Sequence, residues 1–250
     1  GTVTGVQTCA LPISAHRGAD SDVTLYLTRV DDPRAYGLVP IDDDGRVTAF
    51  LEKPQTPEEI VTDLINAGCY VFRKSIIDDI PAGRVVSVER ETFPGLLTSG
   101  AKVMGVVDTG YWLDVGTPLA FVQGSRDLVL GVAPSPAVAD VGDLLVLPGA
   151  ELASTAVVDG GSTIGSRSRV GANTVVRGSV VFDDVTIESG AQVIDSIVGA
   201  GAHVGADSVL QGVVVGDGAA VGSGNELLPG IRIWPDMRIP DRSIRFSSDA

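Results

Sequence analysis

The chain has 250 residues, 44% of them apolar, which is enough for one large core or two smaller ones. Its formal charge of −14, from 18 basic and 32 acidic residues, leaves no basic stripe to neutralise phosphates, and so excludes extended nucleic-acid or anionic-membrane surfaces. Two cysteines, Cys9 and Cys69, give neither a disulfide framework nor paired metal-ligand spacing, and point to a reducing cytoplasm.

The opening GTVTGVQTCALPIS lacks a basic n-region, and its apolar segment CALPI is too short for a secretory signal or a membrane span. Residues 1–14 are expected to be a non-native segment joined to a truncated frame near Ala15. From Asp22, DVTLYLTRV alternates Val23, Leu25 and Leu27 with Thr24, Tyr26 and Thr28, which predicts a strand. YGLVPIDDDGRVTAFLEKP reads as two strand-like runs around Asp44 and Gly45, with residues 42–44 as a solvated hairpin tip. INAGCYVF is an apolar strand in which Cys69 is a small buried hydrophobe, and RKSIIDDI after it is a short amphipathic helix. ERETFPGLLTSG predicts a helix stopped by Gly100, weakened in the middle by Pro94 and Gly95. AKVMGVVD returns as a strand, and Thr117 with Pro118 starts a helix over PLAFVQGSRDLVL. Residues 132–143, with Pro134 and Pro136, read as a linker between an α/β part, 15–131, and a different architecture, 144–250.

That second part carries an internal repeat. Aliphatic residues recur in steps of six, six and five, so that 147, 164, 181, 198 and 215 form one column of a 17-residue coil, and small residues such as Gly165, Gly199 and Gly216 follow the corner position. Neither a 3.6- nor a 2-residue period fits, whereas three short strands per coil, stacked on parallel neighbours, place each aliphatic in an inner column. A left-handed parallel β-helix of hexapeptide repeats is expected, with Trp234 and Phe246 covering its last coil and Arg242 and Arg245 solvated.

Four stretches of the first part carry candidate chemistry. Glu52 and Lys53, side by side at a strand end, diverge unless the backbone turns before Pro54; a carboxylate suits sugar hydroxyls and an ammonium suits phosphate, although such a pair also reads as a solvated strand end. Asp114 is either a turn residue or, given phosphate oxygens and a second acid, a magnesium ligand. Asn66 and Gly68 offer an amide and close backbone approach, or a strand-entry turn, and Gly37 offers close approach or a bulge.

In this order, DDPRAYGLVPIDDDGRVTAFLEKP, INAGCYVF, VSVERETFPGLL, YWLDVGTPLAFV and the hexapeptide β-helix resemble the second half of the sugar nucleotidyltransferases, closest to the mannose-1-phosphate guanylyltransferases. The resemblance runs from about residue 15 to the end. It implies an α/β fold: the C-terminal half of a Rossmann-like nucleotide-diphospho-sugar transferase domain, followed by the β-helix. It implies transfer of a nucleotidyl group from GTP to mannose 1-phosphate, releasing pyrophosphate, with Mg2+ offsetting charge. Carried over by motif, Glu52 bonds sugar hydroxyls, Lys53 holds the sugar phosphate, Gly37, Asn66 and Gly68 line the sugar pocket, and Asp114 is one of two aspartates on the metal. Lys53 and Asp114 are thus the catalytic candidates.

The family's glycine-rich loop with its Arg, its Pro-Lys-Pro segment and its other metal-binding Asp have no counterpart, and no G-x-G-T-R-like stretch occurs in the chain. The chain is therefore expected to be N-terminally truncated, to lack the triphosphate-binding part, and to be inactive alone. Three other readings compete. One is a glucose-1-phosphate nucleotidyltransferase. Another is a non-catalytic oligomerisation or binding module, since the Val-rich β-helix suits a homo-oligomer. The last is a hexapeptide acyltransferase using His203 as base, His16 being the only other histidine.

Overall fold

A computed structural model describes residues 5–54, 56–136, 138 and 142–245, with side chains from residue 11 onward. It divides into two compact units between Trp112 and Leu113, upstream of the stretch expected as the linker.

The first unit is a mixed five-stranded sheet in the order β3-β2-β4-β1-β5. Its elements are α1 (Gly5–Ala19), β1 (Val23–Arg29), β2 (Gly37–Leu38), β3 (Leu51–Glu52), β4 (Leu64–Phe72), α2 (Lys74–Asp78), a π-helical turn (Val88–Thr92), α3 (Phe93–Thr98) and β5 (Val103–Val107). β1 pairs antiparallel with β4 and parallel with β5, so the alternating strand read from sequence is a central one, buried on both faces. Val23, Leu25 and Leu27 join Val39, Leu64, Phe93 and Val103 in the core, each fully buried aliphatic contributing about 1.5–3 kcal/mol. On the opposite face Thr24 is buried because His16 and Ser21 meet its hydroxyl, with His16 Nδ1 at 3.0 Å and Ser21 Oγ at 2.7 Å. Burial, ahead of the nearby Arg73, lowers the His16 pKa. α1 packs against β1, β4 and β5 and runs unbroken across the junction expected at Ala15; its last turn is met by Lys102 Nζ, 2.5 Å from the Ala19 carbonyl. Cys9 lies outside the residues whose side chains are described, and Cys69 is half-buried in β4.

The hairpin forms as expected, but only its base pairs as strands. At its tip Asp42 Oδ1 accepts from the N–H groups of Asp44 (3.0 Å) and Arg46 (2.8 Å), and Gly45 takes φ +78°. Gly45 O then accepts from Gly105 N at 2.8 Å, laying the tip along β5. The predicted helix before Gly100 is also present, in two parts. Ser87 Oγ caps the π turn by accepting from Arg90 N, and Pro94, unable to donate, falls in the first turn of α3, where no donor is required.

The second unit is a three-sided parallel β-helix preceded by α4 (Pro118–Val129). Its first stack runs from Leu144–Val146 to Arg232–Ile233, its second from Glu151–Leu152 to Arg238–Ile239, and its third from Val157–Asp159 to Glu226–Leu227. Ile164, Val181, Val198 and Val215 stack inward at 17-residue spacing, consistent with the expected left-handed class. The end coils depart from this period. Val146, not Leu147, pairs with Ile164, and Val215 pairs with Ile233, so both coils hold 18 residues, the extra one accommodated around Gly160 and Gly161 and around Gly230, all at positive φ. The assignment of Leu147 to the corner column is thereby corrected. So is the capping role of Trp234, which is 76% exposed; Ile244 packs on the last coil instead, and Phe246 lies outside the described residues.

Buried serines run as a ladder inside the helix. Ser162 Oγ accepts from Ser179 N, Ser179 Oγ from Ser196 N, each at 3.1 Å, and Ser196 Oγ from Val213 N at 3.0 Å. α4 starts as read: Thr117 Oγ1 accepts from Ala120 N at 3.2 Å, with Pro118 behind it. It docks where Gly161 leaves room, since a Cβ there would stand 3.0 Å from Arg126 Cα, and Phe121 stacks on Phe182.

Candidate functional site

Five of the residues selected from sequence converge at one end of the first unit's sheet. Gly37 in β2 pairs with Glu52 in β3, and a Cβ there would lie 2.9 Å from Glu52 Oε2 and 3.1 Å from the Phe50 ring, so any larger residue would displace the Glu52 carboxylate. The close approach expected of Gly37 is therefore to Glu52. Immediately after, the chain turns. Lys53 adopts φ +49°, a left-handed conformation that costs a non-glycine residue about 1–2 kcal/mol, while its N–H donates to Tyr36 O at 3.2 Å. The backbone turn on which the pairing of Glu52 and Lys53 was conditional is therefore present.

β4 supplies the facing wall through a local irregularity. β1 pairs Leu25 with Tyr70 but Leu27 with Asn66, so residues 67–69 bulge against Tyr26, and Gly68 takes φ +82° with open space beside its Cα. Asn66 is 9% exposed, and its amide is engaged within the protein: Nδ2 donates to Tyr70 Oη at 2.6 Å and to Glu89 Oε1 at 3.0 Å, while Oδ1 accepts from Gly68 N at 3.1 Å. The amide thus holds the bulge rather than presenting its polar atoms outward. Burial raises the Tyr70 pKa above its ordinary value, with the charges of Glu89 and Glu52 adding to it.

Reasoning from sequence missed Glu89, Tyr36 and Trp112. Glu89 is delivered by the π turn, a distortion that no periodicity in VSVERETF signals. Trp112 Nε1 donates to Ala67 O at 3.4 Å, on the bulge, and its ring meets Tyr36 edge-on at 5.7 Å. Two aromatic rings and two carboxylates near an opened backbone, on the sheet that ends in the turn at Lys53, offer stacking faces and acceptors suited to a pyranose.

Asp114 belongs to the second unit, and there its Oδ1 accepts from Gly116 N at 3.2 Å, a local turn contact on an exposed side chain. Among the described residues no three His, Cys, Asp or Glu side chains gather as a metal site. A single exposed carboxylate still fits magnesium, which takes one or two protein carboxylates and fills its shell with phosphate and water oxygens. His203, the acyltransferase candidate, lies in a continuous strand with Nε2 3.3 Å from Glu188 Oε1. No helix among the described residues is long and apolar enough to cross a membrane.

Comparison with known proteins fits this arrangement. A nucleotidyl transferase profile matches residues 9–129, and a GMPPB C-terminal domain profile matches residues 141–244. The chain is 56% identical, over 94% of its length, to a mannose-1-phosphate guanylyltransferase of Mycobacterium tuberculosis, of which it spans 65%. It is 36% identical over 45% of its length to a mannose-1-phosphate guanylyltransferase catalytic subunit beta of Drosophila pseudoobscura pseudoobscura (29% of that protein). It is also 31% identical over 72% to a probable mannose-1-phosphate guanylyltransferase 1 of Oryza sativa subsp. japonica (49% of that protein). The expected N-terminal truncation gains no support, because the nucleotidyl transferase match starts at residue 9, inside the stretch expected to be foreign. The chain is thus similar to the nucleotidyl transferases over residues 9–129 and to the GMPPB C-terminal domain over residues 141–244.

Proposed function

We propose that this chain carries the sugar-phosphate side of a mannose-1-phosphate guanylyltransferase, whose reaction converts GTP and mannose 1-phosphate to GDP-mannose and pyrophosphate, and that the β2–β4 end of the sheet holds the sugar phosphate. The observation that carries the reading is the turned backbone at Lys53, whose N–H meets Tyr36 O directly after the Gly37–Glu52 pair, on the sheet whose β4 strand carries the Gly68 bulge. The likeness to the Mycobacterium protein supports mannose as the sugar and guanine as the base.

In this reading a phosphate oxygen of mannose 1-phosphate attacks the α-phosphorus of GTP, the new P–O bond forming as the bond to the β-phosphate bridging oxygen breaks and pyrophosphate leaves. Such a transfer needs positioning and charge neutralisation rather than covalent help from the protein. Lys53 offsets the sugar phosphate charge and aims its oxygen. Glu52 and Glu89 accept from sugar hydroxyls, Asn66 keeps Glu89 and the Gly68 bulge in register, and Tyr36 with Trp112 excludes water from one side. Asp114 is the residue that would hold Mg2+, which when bound supplies offsetting charge at the phosphates. The −14 net charge and the absence of a cysteine framework support a cytoplasmic enzyme, and the continuous β-helix supports a homo-oligomer built through it.

Calorimetric titration tests the sugar side directly. Mannose 1-phosphate should bind the chain more tightly than glucose 1-phosphate, and Lys53→Ala should weaken that binding at least about tenfold, as loss of a charge-assisted contact requires. Equal affinity for both sugars, or an unaltered Lys53→Ala, would overturn the assignment.

A further inference from the structure

The second stack of the β-helix presents one outward residue per coil: Glu151, Arg169, Thr186, His203, Ala220 and Arg238, on six parallel strands. Their inward neighbours are apolar, and beyond these the same face carries a second register of mostly small residues, Ala153, Gly171, Gly205 and Gly222, in which Glu188 is the one acid, 3.3 Å from His203 Nε2. Two open grooves of about 620 and 430 Å³ run along it, sharing Glu188 and floored by small residues such as Gly171, Gly205 and Gly222. The charges are unevenly placed. Glu151 stands at one end, 74% exposed, with Arg169 at 3.5 Å as its neighbour; Arg238 stands at the other end, exposed and without an ion pair in its own chain among the described residues.

Among antiparallel arrangements, the one that engages all six coils sets opposite charges at both ends and Glu188 opposite Gly205. Parallel stacking of two copies sets like on like. A two-fold axis through the Thr186 coil sets Arg169 on His203 and leaves Arg238 outside; one through the His203 coil sets Arg169 on Arg238. An axis between the Thr186 and His203 coils pairs Glu151 with Arg238, the long Arg169 with the short Ala220, and Thr186 with His203, each twice. We infer that the second stack is the face through which two copies of this chain pair antiparallel, with Glu151 of each copy meeting Arg238 of the other. This rests on the reading that the β-helix self-associates, and adds the face and register.

Strands stack about 4.8 Å apart, so the six-coil face is only about 24 Å long, which places the contact at the small end of specific interfaces. Its pairing is therefore concentration-dependent, and it weakens with salt because exposed charge pairs are screened within about 10 Å at 0.1 M.

Sedimentation equilibrium of the full chain at low salt tests this. The wild type should show a monomer–dimer equilibrium, and Glu151→Arg or Arg238→Glu should each raise the dissociation constant at least about tenfold, because both end contacts become like-charged. Both positions are exposed, so the variants should fold as the wild type does, verified by far-UV circular dichroism. The decisive arm is a mixture. Glu151→Arg and Arg238→Glu, each monomeric alone, should form a heterodimer of wild-type affinity, since both of its end contacts are then Arg opposite Glu; the double variant should dimerise with itself. A wild type that stays monomeric overturns the self-association reading. A dimer indifferent to either reversal, or single variants that stay apart when mixed, overturns the face and register while leaving self-association standing.

Discussion

Replacing Ser179 by Ala should destabilise the β-helix by about 2 kcal/mol, a large effect for the loss of one oxygen atom. Ser179 is fully buried, and its Oγ accepts from Ser196 N at 3.1 Å while donating to Arg177 O (2.9 Å) or Val193 O (3.1 Å). The carbonyl side tolerates the loss, because Arg177 O also accepts from Asp195 N at 3.0 Å. The Ser196 N–H does not, since alanine leaves it without an acceptor in the interior, and an orphaned buried donor costs about 1–3 kcal/mol. Two tryptophans occur in the chain, Trp112 and Trp234, so a Trp112→Phe background leaves Trp234 as the reporter of β-helix unfolding in urea. Ser189→Ala, exposed on the neighbouring coil, is the control and should stay within about 0.5 kcal/mol of the parent. If Ser179→Ala also stays within that margin, the Ser196 N–H has another partner, and the ladder is not what holds the coils in register.

Lys53→Asn should abolish the tenfold advantage of a lysine for sugar phosphate while raising stability by up to about 1 kcal/mol, because Asn tolerates the left-handed conformation; a fall in stability would show that φ +49° carries no strain. Gly37→Ala should weaken mannose 1-phosphate binding by displacing Glu52, whereas Gly68→Ala, with no atom within 4 Å of the new Cβ, should show chiefly a stability loss of about 1 kcal/mol; calorimetry on both separates a steric from a conformational glycine. Asp159 is held below the ordinary carboxylate pKa, first by its hydrogen bonds from Arg177. A depressed folded value means that this pair stabilises fully above the unfolded pKa of about 3.9, and that its contribution disappears as pH falls through the lower folded value. Urea midpoints should therefore drop more between pH 5 and pH 2 (both about) in the parent than in Arg177→Gln, and equal slopes would remove the pair from the account.

The parts legible in the sequence were those fixed by repetition or by a turn residue's own chemistry. The six-step aliphatic columns located the inward face of the β-helix, because each inner position repeats the same environment coil after coil. Thr117 with Pro118, and Asp44 with Gly45, announced a helix start and a hairpin tip through local hydrogen bonding alone. Leu147 misled because a strict 17-residue count cannot register an end coil that is one residue longer. At the candidate site, Gly37, Glu52, Lys53, Asn66 and Gly68 stood out as letters, but the contacts that bring them together did not. That Asn66 is a strut for Glu89 depends on a π turn and a bulge on different strands, and both are products of tertiary pairing.

The unequal coils make one corner of the β-helix adjustable. In the middle coils the passage from third stack to first is one residue shorter than at the ends, yet the inward columns of all three stacks stay aligned through every coil. Length is thus absorbed outside the packed interior, at Gly160 and Gly161, the second of which faces Arg126 of α4. A residue added or removed there shifts no core side chain and resets only what seats on the outside. That corner is where a lineage of such chains can reposition a whole helix against the coils without repacking a single buried aliphatic.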